Sequence, residues 1–214
     1  MKQFSNISTI IFDLGGVLVN LDLPKCILNF KRLGITDIEN YLSNFGQSGF
    51  FLSFEKGHIG TEEFRNEIRK FAPKPLSDAQ IDETWCSFLC DIPTEKLHIL
   101  AELKKKYRLV LLSNTNPLHI EVSAAAEFAK AGKTMYDFFD ACYLSYEMKM
   151  TKPDAEIFEK LLCDEQVAAN QCLFLDDGMK NIEQATKLGI QTYLVKEHEN
   201  LDFLLLDETF ITIK

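Results

Sequence analysis

Short apolar runs, each bounded by polar or turn-forming residues, recur along the chain. The runs are only four or five residues long and lack polar alternation, which is typical of strands buried on both faces of a sheet. Such strands are predicted at residues 9–12, 109–112, 141–144, 172–175 and 191–195. Segments with helical spacing lie between the last four, for example residues 154–162 and 181–188, the second closed by Gly189 as a C-terminal cap. This alternation predicts an α/β fold with a parallel sheet.

The interval between the first two predicted strands follows a different pattern, because helical spacing dominates and no strand is evident. Helices are predicted at residues 24–33, 37–44, 61–71 (with Thr61 as the N-cap) and 77–89. This is too much chain for one crossover, so we expect an inserted all-helical cap domain at residues 18–90, and a core domain of residues 1–17 and 91–214. Such an insertion would lie over the carboxyl ends of the strands, where open α/β sheets bind ligands. The cap is therefore expected to act as a lid.

Composition narrows the classes of function. The 214 residues suffice for one mid-sized domain with an insertion, and 46% apolar and 26% charged residues are ordinary for a globular protein. The 23 Lys and Arg against 32 Asp and Glu give a net charge of −9, which argues against nucleic acid or an anionic membrane as the main partner. No apolar run approaches the ~20 residues of a membrane span. We expect a small-molecule partner, and either a monomer or a homodimer.

Cysteine usage and the start of the chain bear on the compartment. The six cysteines include no C-x-x-C pair, and residues 1–8 are too polar for a secretory signal. Reduced thiols and a cytoplasmic location are therefore expected.

Polar and ionisable residues follow four of the predicted strands, at or just beyond the point where each strand ends. They are Asp13, the pair Ser113 and Asn114, Lys152, and the pair Asp176 and Asp177. The carboxyl ends of parallel strands meet at one edge of a sheet, so these side chains are expected to converge. Carboxylates, a hydroxyl and an ammonium in one place suit phosphoryl transfer to a carboxylate.

The ionisable residues meet separate requirements of that reaction. Asp13 is expected to be the nucleophile that forms an aspartyl-phosphate, and Lys152 to neutralise charge on the nucleophile and the phosphate. Mg²⁺ prefers oxygen ligands, which Asp13 and Asp177 can supply. Asp176 is expected either to be a further metal ligand or to contact the ligands without binding the metal itself.

The phosphate is expected to be held by hydroxyl, ammonium and backbone N–H groups at the same edge of the sheet. The side chains are those of Ser113 and Lys152, and the backbone donors lie near Leu14, Gly15 and Asn114. The Gly-Gly pair after the predicted nucleophile leaves room for a phosphate to approach the backbone closely.

Four stretches together resemble the haloacid dehalogenase (HAD) superfamily of aspartate-nucleophile phosphatases. They are residues 11–18 (IFDLGGVL), 111–116 (LLSNTN), 152–158 (KPDAEIF) and 174–182 (FLDDGMKNI). The resemblance is to the branch with a helical (C1) cap inserted after the first motif, and more loosely to bacterial hexose-1-phosphate phosphatases. It implies a Rossmann-like core, a Mg²⁺ cofactor with the Gly15 carbonyl among its ligands, and hydrolysis of a small phosphorylated metabolite such as a sugar phosphate.

The sequence departs from the family at position 15. Most phosphatases of the family have Asp there, as general acid for the leaving oxygen and then as general base for water, whereas this chain has Gly15. General acid–base help contributes ~10²–10⁴ in rate, so its loss should favour good leaving groups, such as an anomeric oxygen or an acyl phosphate, and disfavour phosphomutase activity. A substrate hydroxyl, a water molecule, Glu55 or His58 could supply the proton instead.

Three other functions stay open, and for one of them, phosphonate hydrolysis, the cap sequence singles out no candidate Schiff-base lysine. A 2-haloacid dehalogenase would use the same nucleophile, but dehalogenases of this family have Ser or Asn where this chain has Asp176 and Asp177, which argues against it. A binding or regulatory protein that lost its chemistry with the acid at position 15 is less compatible with the retained Asp13, Lys152 and Asp177.

Overall fold

The structure is a computed structural model that describes residues 4–43, 47–205 and 211–212. Its strands are β1 (Phe4–Ser5), β2 (Thr9–Phe12), β3 (Arg108–Ser113), β4 (Ala141–Leu144), β5 (Cys172–Asp176), β6 (Gln191–Leu194) and β7 (Ile211–Thr212). The central sheet has five parallel strands in the order β4-β3-β2-β5-β6. The short strands β1 and β7 pair with each other in parallel.

Helices lie against the sheet and fill the interval between β2 and β3. They are α1 (Leu23–Arg32), α2 (Gly49–Glu55), α3 (Thr61–Phe71), α4 (Asp78–Cys86), α5 (Thr94–Leu103), α6 (Ala125–Lys130), α7 (Met135–Phe138), α8 (Ser145–Met148), α9 (Ala155–Asp164) and α10 (Met179–Lys187). A π-helix, His119–Ala124, precedes α6. None of the described helices combines the length and the apolar character that crossing a membrane requires.

The predicted α/β fold with a parallel sheet is confirmed, and β2 to β6 match the predicted strands to within one residue. Every residue of β2 and β5 is buried, because these central strands are covered on both faces. Successive side chains of a strand point to opposite faces. Phe12 and Leu175 accordingly pack in one apolar cluster, and Ile11 and Phe174 in another.

Helices α1 to α4 form a helical insertion between β2 and β3, and they enclose an apolar cluster that Leu118, beyond β3, also joins. Its largest buried side chains are Phe30, Phe51, Phe54, Phe64 and Trp85. Phe54 stacks on Phe64 with ring centroids 4.3 Å apart. The division into a cap of residues 18–90 and a core remains a prediction, which this separate cluster favours.

Three of the four helices predicted in the insertion correspond to α1, α3 and α4, and the fourth does not. The helix expected at residues 37–44 is a 3₁₀ turn at Ile38–Asn40. The chain folds back after it, because Ser48 donates its backbone N–H to the Tyr41 carbonyl (3.0 Å). Asn44 lies outside the described residues.

The prediction also differs at the start of α3 and at α2. Thr61 is the first residue of α3, and Gly60, in an extended conformation, takes the N-cap position. Helix α2 was not predicted, since Gly49 has a low helix propensity. Its buried Phe51 and Phe54 indicate that packing, rather than propensity, forms this helix.

Candidate active site

The carboxyl ends of the central strands bring the predicted polar residues together. Asp13 follows β2, Ser113 ends β3 and Asp176 ends β5. Asp13 and Ser113 line a cleft of about 620 Å³, counted with the space open to solvent, between the sheet edge and the helical insertion. Its lining includes Asp13, Leu14, Gly15, Ser113, Asn114, Lys152 and Asp177 from the sheet edge, and Glu55 and Phe88 from the insertion.

Lys152 is the centre of the charged groups in this cleft. Its ammonium Nζ lies 2.9 Å from Asp13 Oδ1 and 2.7 Å from Asp176 Oδ2. It also donates to the Leu112 carbonyl (2.9 Å), and the side chain is 1% exposed. Burial lowers the pKa of this ammonium, but the two carboxylates outweigh burial, so the pKa of Lys152 is raised overall. Lys152 is therefore a fixed cation at neutral pH.

The adjacent Asp176 and Asp177 have different environments. Asp176 is fully buried, and its Oδ1 accepts from the Gly178 N–H (2.7 Å) and from Asn181 Nδ2 (2.9 Å), so both of its oxygens are engaged. Asp177 is partly exposed in the cleft and packs against Gly16. The φ of Gly16 is +72°, and a Cβ there would lie 2.1 Å from Asp177 Oδ2. Any other residue would be strained here and would push the Asp177 carboxylate aside.

The carboxylates of Asp13, Asp176 and Asp177 fit a divalent cation. Each offers one oxygen, and these oxygens lie within 4.8 Å of one another. With the Lys152 ammonium, the cluster retains two negative charges, which one Mg²⁺ neutralises. Burial raises the pKa of Asp13, although the charge of Lys152 acts to lower it. Burial and the charge of Asp176 raise the pKa of Asp177 to about 6, and Lys152 opposes this shift as well. An excess of negative charge among hard oxygen ligands suits Mg²⁺.

The predicted phosphate-binding groups lie at the same edge, and two of them are bound within the protein. The Asn114 amide donates to the Lys152 carbonyl (2.9 Å) and accepts from the Lys152 N–H (2.8 Å), so this side chain positions Lys152. The Leu14 N–H donates to Asp13 Oδ1 (2.7 Å). Ser113 is buried at the end of β3 and faces the cleft.

The helical insertion contributes one carboxylate to the cleft. Glu55, the last residue of α2, is 5% exposed and lines the cleft. Burial, and after it the charge of Asp13, raise the pKa of Glu55 to about 8, against a smaller opposing effect of Lys152. His58, the other residue of the insertion considered as a proton donor, is exposed and does not line this cleft.

Two residues beyond β4 attach the end of α2 to the core. The buried Ser145 Oγ donates to the Glu55 carbonyl (2.6 Å) and accepts from the Thr115 N–H (2.9 Å). Lys149 Nζ donates to the Gly57 carbonyl. Sequence reasoning missed Ser145 and Lys149, because their role depends on how the insertion docks and no local pattern signals it.

His119 is buried in the wall of the cleft. Its ring stacks on Trp85 with centroids 4.4 Å apart, and its Nε2 lies 3.3 Å from the Trp85 carbonyl. A carbonyl only accepts hydrogen bonds, so Nε2 carries the proton. Burial lowers the pKa of His119 to about 3, although the bond to Trp85 opposes the shift. The ring is therefore neutral in the folded protein.

We expect His119 to make the fold sensitive to acid. Its pKa is 6.5 for the free side chain and about 3 in the folded protein, so the unfolded state takes up a proton first as the pH falls. The neutral His119 ring therefore makes its full contribution to the free energy of unfolding above pH 6.5. About 2 kcal/mol of this free energy should be lost between pH 7 and pH 5. Urea unfolding of the wild type and His119→Gln at both pH values measures this difference. Equal pH dependence in the two proteins would contradict it.

Comparison with known proteins identifies similar sequences and structures. Residues 7–189 match the model of the haloacid dehalogenase-like hydrolases. The chain is 35% identical to a D-ribitol-5-phosphate phosphatase of Bacteroides thetaiotaomicron, over 187 residues that make up 87% of this chain and 91% of that protein.

Two solved structures are similar over almost the whole chain. A wild-type HAD family enzyme from Bacteroides thetaiotaomicron, in complex with magnesium and inorganic phosphate, is 44% identical and has a TM-score of 0.86, covering 92% of this chain and 98% of that one. A HAD-like family hydrolase from Porphyromonas gingivalis is 37% identical and has a TM-score of 0.86, covering 94% of this chain and 99% of that one.

Proposed function

This chain belongs to the haloacid dehalogenase-like hydrolases, and we propose that it is a Mg²⁺-dependent phosphatase. It hydrolyses a small phosphomonoester of a sugar or sugar alcohol through an aspartyl-phosphate intermediate. The proposal is supported by a relative named as a D-ribitol-5-phosphate phosphatase and by a similar structure that contains magnesium and inorganic phosphate.

This proposal rests on the contacts that hold the Asp13 carboxylate. Its Oδ1 forms an ion pair with the Lys152 ammonium (2.9 Å) and accepts a hydrogen bond from the Leu14 N–H (2.7 Å). Within the part of the chain that the structure describes, no hydrogen bond engages the second oxygen, Oδ2. A carboxylate fixed through one oxygen presents the other to the cleft, which is the arrangement that a nucleophile requires.

The residues at the sheet edge have separate roles in the reaction. Asp13 Oδ2 attacks phosphorus as the bond to the leaving oxygen breaks, and water later attacks phosphorus and frees Asp13 and inorganic phosphate. Lys152 neutralises charge on the nucleophile and on the transferred group. The Ser113 hydroxyl and backbone N–H groups near Gly15 and Asn114 hold the phosphate oxygens.

The metal is held beside the nucleophile. We assign Asp13, Asp177 and the Gly15 carbonyl as its ligands, and Asp176 as a support behind them, because both Asp176 oxygens already accept hydrogen bonds within the protein. When bound, Mg²⁺ neutralises and orients the phosphate oxygens.

The proposed substrate class comes from the Bacteroides relative. D-Ribitol 5-phosphate, for which that protein is named, is an ester of a primary alcohol. We propose a sugar or sugar-alcohol phosphate of similar size for this chain, alongside the hexose 1-phosphates that its sequence motifs suggest. A primary alcohol is a poor leaving group, so such a substrate needs a proton donor even though position 15 is glycine.

Release of inorganic phosphate from a panel of esters tests the proposed function. The panel contains D-ribitol 5-phosphate, pentose 5-phosphates, hexose 1-phosphates, acetyl phosphate and 4-nitrophenyl phosphate, each with excess Mg²⁺ or with EDTA. We expect turnover that requires Mg²⁺ and is fastest with a sugar or sugar-alcohol phosphate. No release from any ester would reject the phosphatase, and halide release from 2-haloacids would then be the next assay.

Mg²⁺ should also stabilise the fold, because it binds the carboxylates that the folded chain brings together. At one hundred times its Kd, the free energy of unfolding should rise by about 2.7 kcal/mol, which raises Tm by roughly 5–10 °C for a domain of this size. Calorimetry with and without Mg²⁺ measures the shift. Asp177→Asn should remove most of it, and Asp37→Asn, at an exposed carboxylate of the insertion, should keep it. An undiminished shift in the Asp177 variant would place the metal elsewhere.

A further inference from the structure

Hydrolysis of an alcohol ester needs a group that first gives a proton and then takes one. The leaving alkoxide must be protonated as it departs, and the attacking water must lose a proton. Among the residues that the structure describes, the ionisable side chains that line the cleft are those of Asp13, Glu55, His119, Lys152 and Asp177.

Four of these five side chains already have another role or a fixed partner. Asp13 is the nucleophile, and Asp177 is assigned to the metal. The Lys152 ammonium is held by two carboxylates and a carbonyl. The only ring proton of the neutral His119 is directed at a backbone carbonyl. Glu55 is the one that remains.

We propose that Glu55 is the general acid and general base of this enzyme, an inference that rests on the proposed phosphatase function. Its carboxyl proton moves to the leaving oxygen as the bond between that oxygen and phosphorus breaks and the bond from Asp13 to phosphorus forms. The Glu55 carboxylate then takes a proton from the water whose oxygen attacks phosphorus, and the bond to Asp13 breaks. One ester and one water become one alcohol and one inorganic phosphate, and Glu55 is protonated again.

The position of Glu55 suits both proton transfers. Asp13 enters the cleft from the sheet edge, whereas Glu55 enters it from the helical insertion. In an in-line displacement the leaving oxygen lies on the side of phosphorus opposite the nucleophile. The leaving group, and later the attacking water, therefore lie on the side of the cleft that the insertion forms.

The environment of Glu55 also fits this role. Among the described residues, none makes a hydrogen bond or an ion pair with its carboxylate, although the side chain is almost fully buried. Burying an ionisable group without a partner costs stability, and such groups concentrate at functional sites. Ser145 fixes the backbone at Glu55 to the core, so the carboxyl is held in the cleft. Its raised pKa, about 8, lets it carry a proton at neutral pH.

The test compares two leaving groups in the variant Glu55→Gln, which keeps the shape of the side chain and removes the proton. D-Ribitol 5-phosphate, or the fastest aliphatic ester of the panel, releases an alkoxide that needs a proton, whereas 4-nitrophenyl phosphate releases a stable phenolate. Single-turnover rates are measured with enzyme in excess over each ester. Glu63→Gln, at an exposed glutamate of α3, is the matched control.

We expect Glu55→Gln to slow release of the aliphatic alcohol by about 10²–10⁴-fold, and to leave the single-turnover release of 4-nitrophenolate close to wild type. The phosphorylated enzyme should then accumulate, because its attack by water has lost the base. Glu55→Asp, which keeps a carboxyl at a shorter reach, should recover part of the lost rate. Glu63→Gln should behave as wild type with both esters.

Other outcomes separate this inference from the proposed function. An equal loss with both esters, no loss with either, or a change in KM alone would overturn the role of Glu55 while leaving the phosphatase intact. If Glu55→Gln does not fold, as judged by circular dichroism, the ratio of the two rates in Glu55→Asp decides: an unchanged ratio overturns the role. A wild-type protein that releases phosphate from no ester would reject the function itself, and this inference with it.

Discussion

Replacing Asp13 by Asn should reduce phosphate release by on the order of 10⁴-fold or more while leaving the protein folded. Asn has the shape of Asp but cannot form the acyl phosphate, so the covalent route is lost. The remaining rate would come only from positioning of the ester and from Lys152. The fold should tolerate the change, because Asn removes one of three crowded carboxylates, and the pKa of Asp13 is raised by burial ahead of its neighbours.

Two measurements test the Asp13 prediction. The first is steady-state phosphate release from the best ester of the panel, with Asp37→Asn as the control for an exposed acid. The second is acid quenching during turnover of a ³²P-labelled ester, which should trap labelled protein for the wild type and none for Asp13→Asn. A variant that keeps about a tenth of the wild-type rate, or that is still labelled, would show that another group attacks.

Replacing Lys152 by Met should lower the free energy of unfolding by about 3–5 kcal/mol in the absence of Mg²⁺, and should also abolish most turnover. Lys152 is buried between Asp13 and Asp176, at 2.9 Å and 2.7 Å. Met has a similar volume but no charge, so it leaves two buried carboxylates without their cation. The energetic cost is that of the unpaired charges rather than of lost packing.

Urea unfolding in EDTA measures the Lys152 prediction. Lys180→Met, at an exposed lysine of α10, should change stability by no more than about 0.5 kcal/mol. The double variant Lys152→Met with Asp176→Asn should recover part of the loss, because one of the two unpaired carboxylates is then neutral. A loss in Lys152→Met no larger than that of the control would mean that water reaches and solvates this site.

The core of the fold and the residues at the sheet edge were predictable because their signals are local. Strands β2 and β5 are buried on both faces, so they are predicted from runs of apolar residues in the sequence. Asp13 and Asp176 lie at the ends of those runs, so a parallel sheet necessarily brings them to one edge. Gly189, with a φ of +85°, ends α10 as its position in the sequence indicates.

The helical insertion and its contacts were harder to predict because they depend on distant packing. Helix α2 forms where aromatic side chains pack together, and its own residues favour a helix only weakly. Glu55 reaches the cleft because its carbonyl meets Ser145, ninety positions along the chain. Likewise β1 pairs with β7, near the opposite end of the chain, and no local pattern reveals such a pairing.

Gly15 and Gly16 differ in how much room the structure leaves for a side chain. At position 16 a Cβ would lie 2.1 Å from Asp177 Oδ2 on a left-handed backbone, so a substitution there would displace the carboxylate assigned to the metal. At position 15 the atoms nearest to a Cβ would be those of the flexible Leu21 side chain, at 3.3 Å. An acidic side chain could therefore be gained or lost at Gly15 without rebuilding the loop. Gly15 and Glu55 line the same cleft, one from the sheet edge and one from the insertion, so an acid at position 15 would add a second candidate proton donor to the one proposed at Glu55.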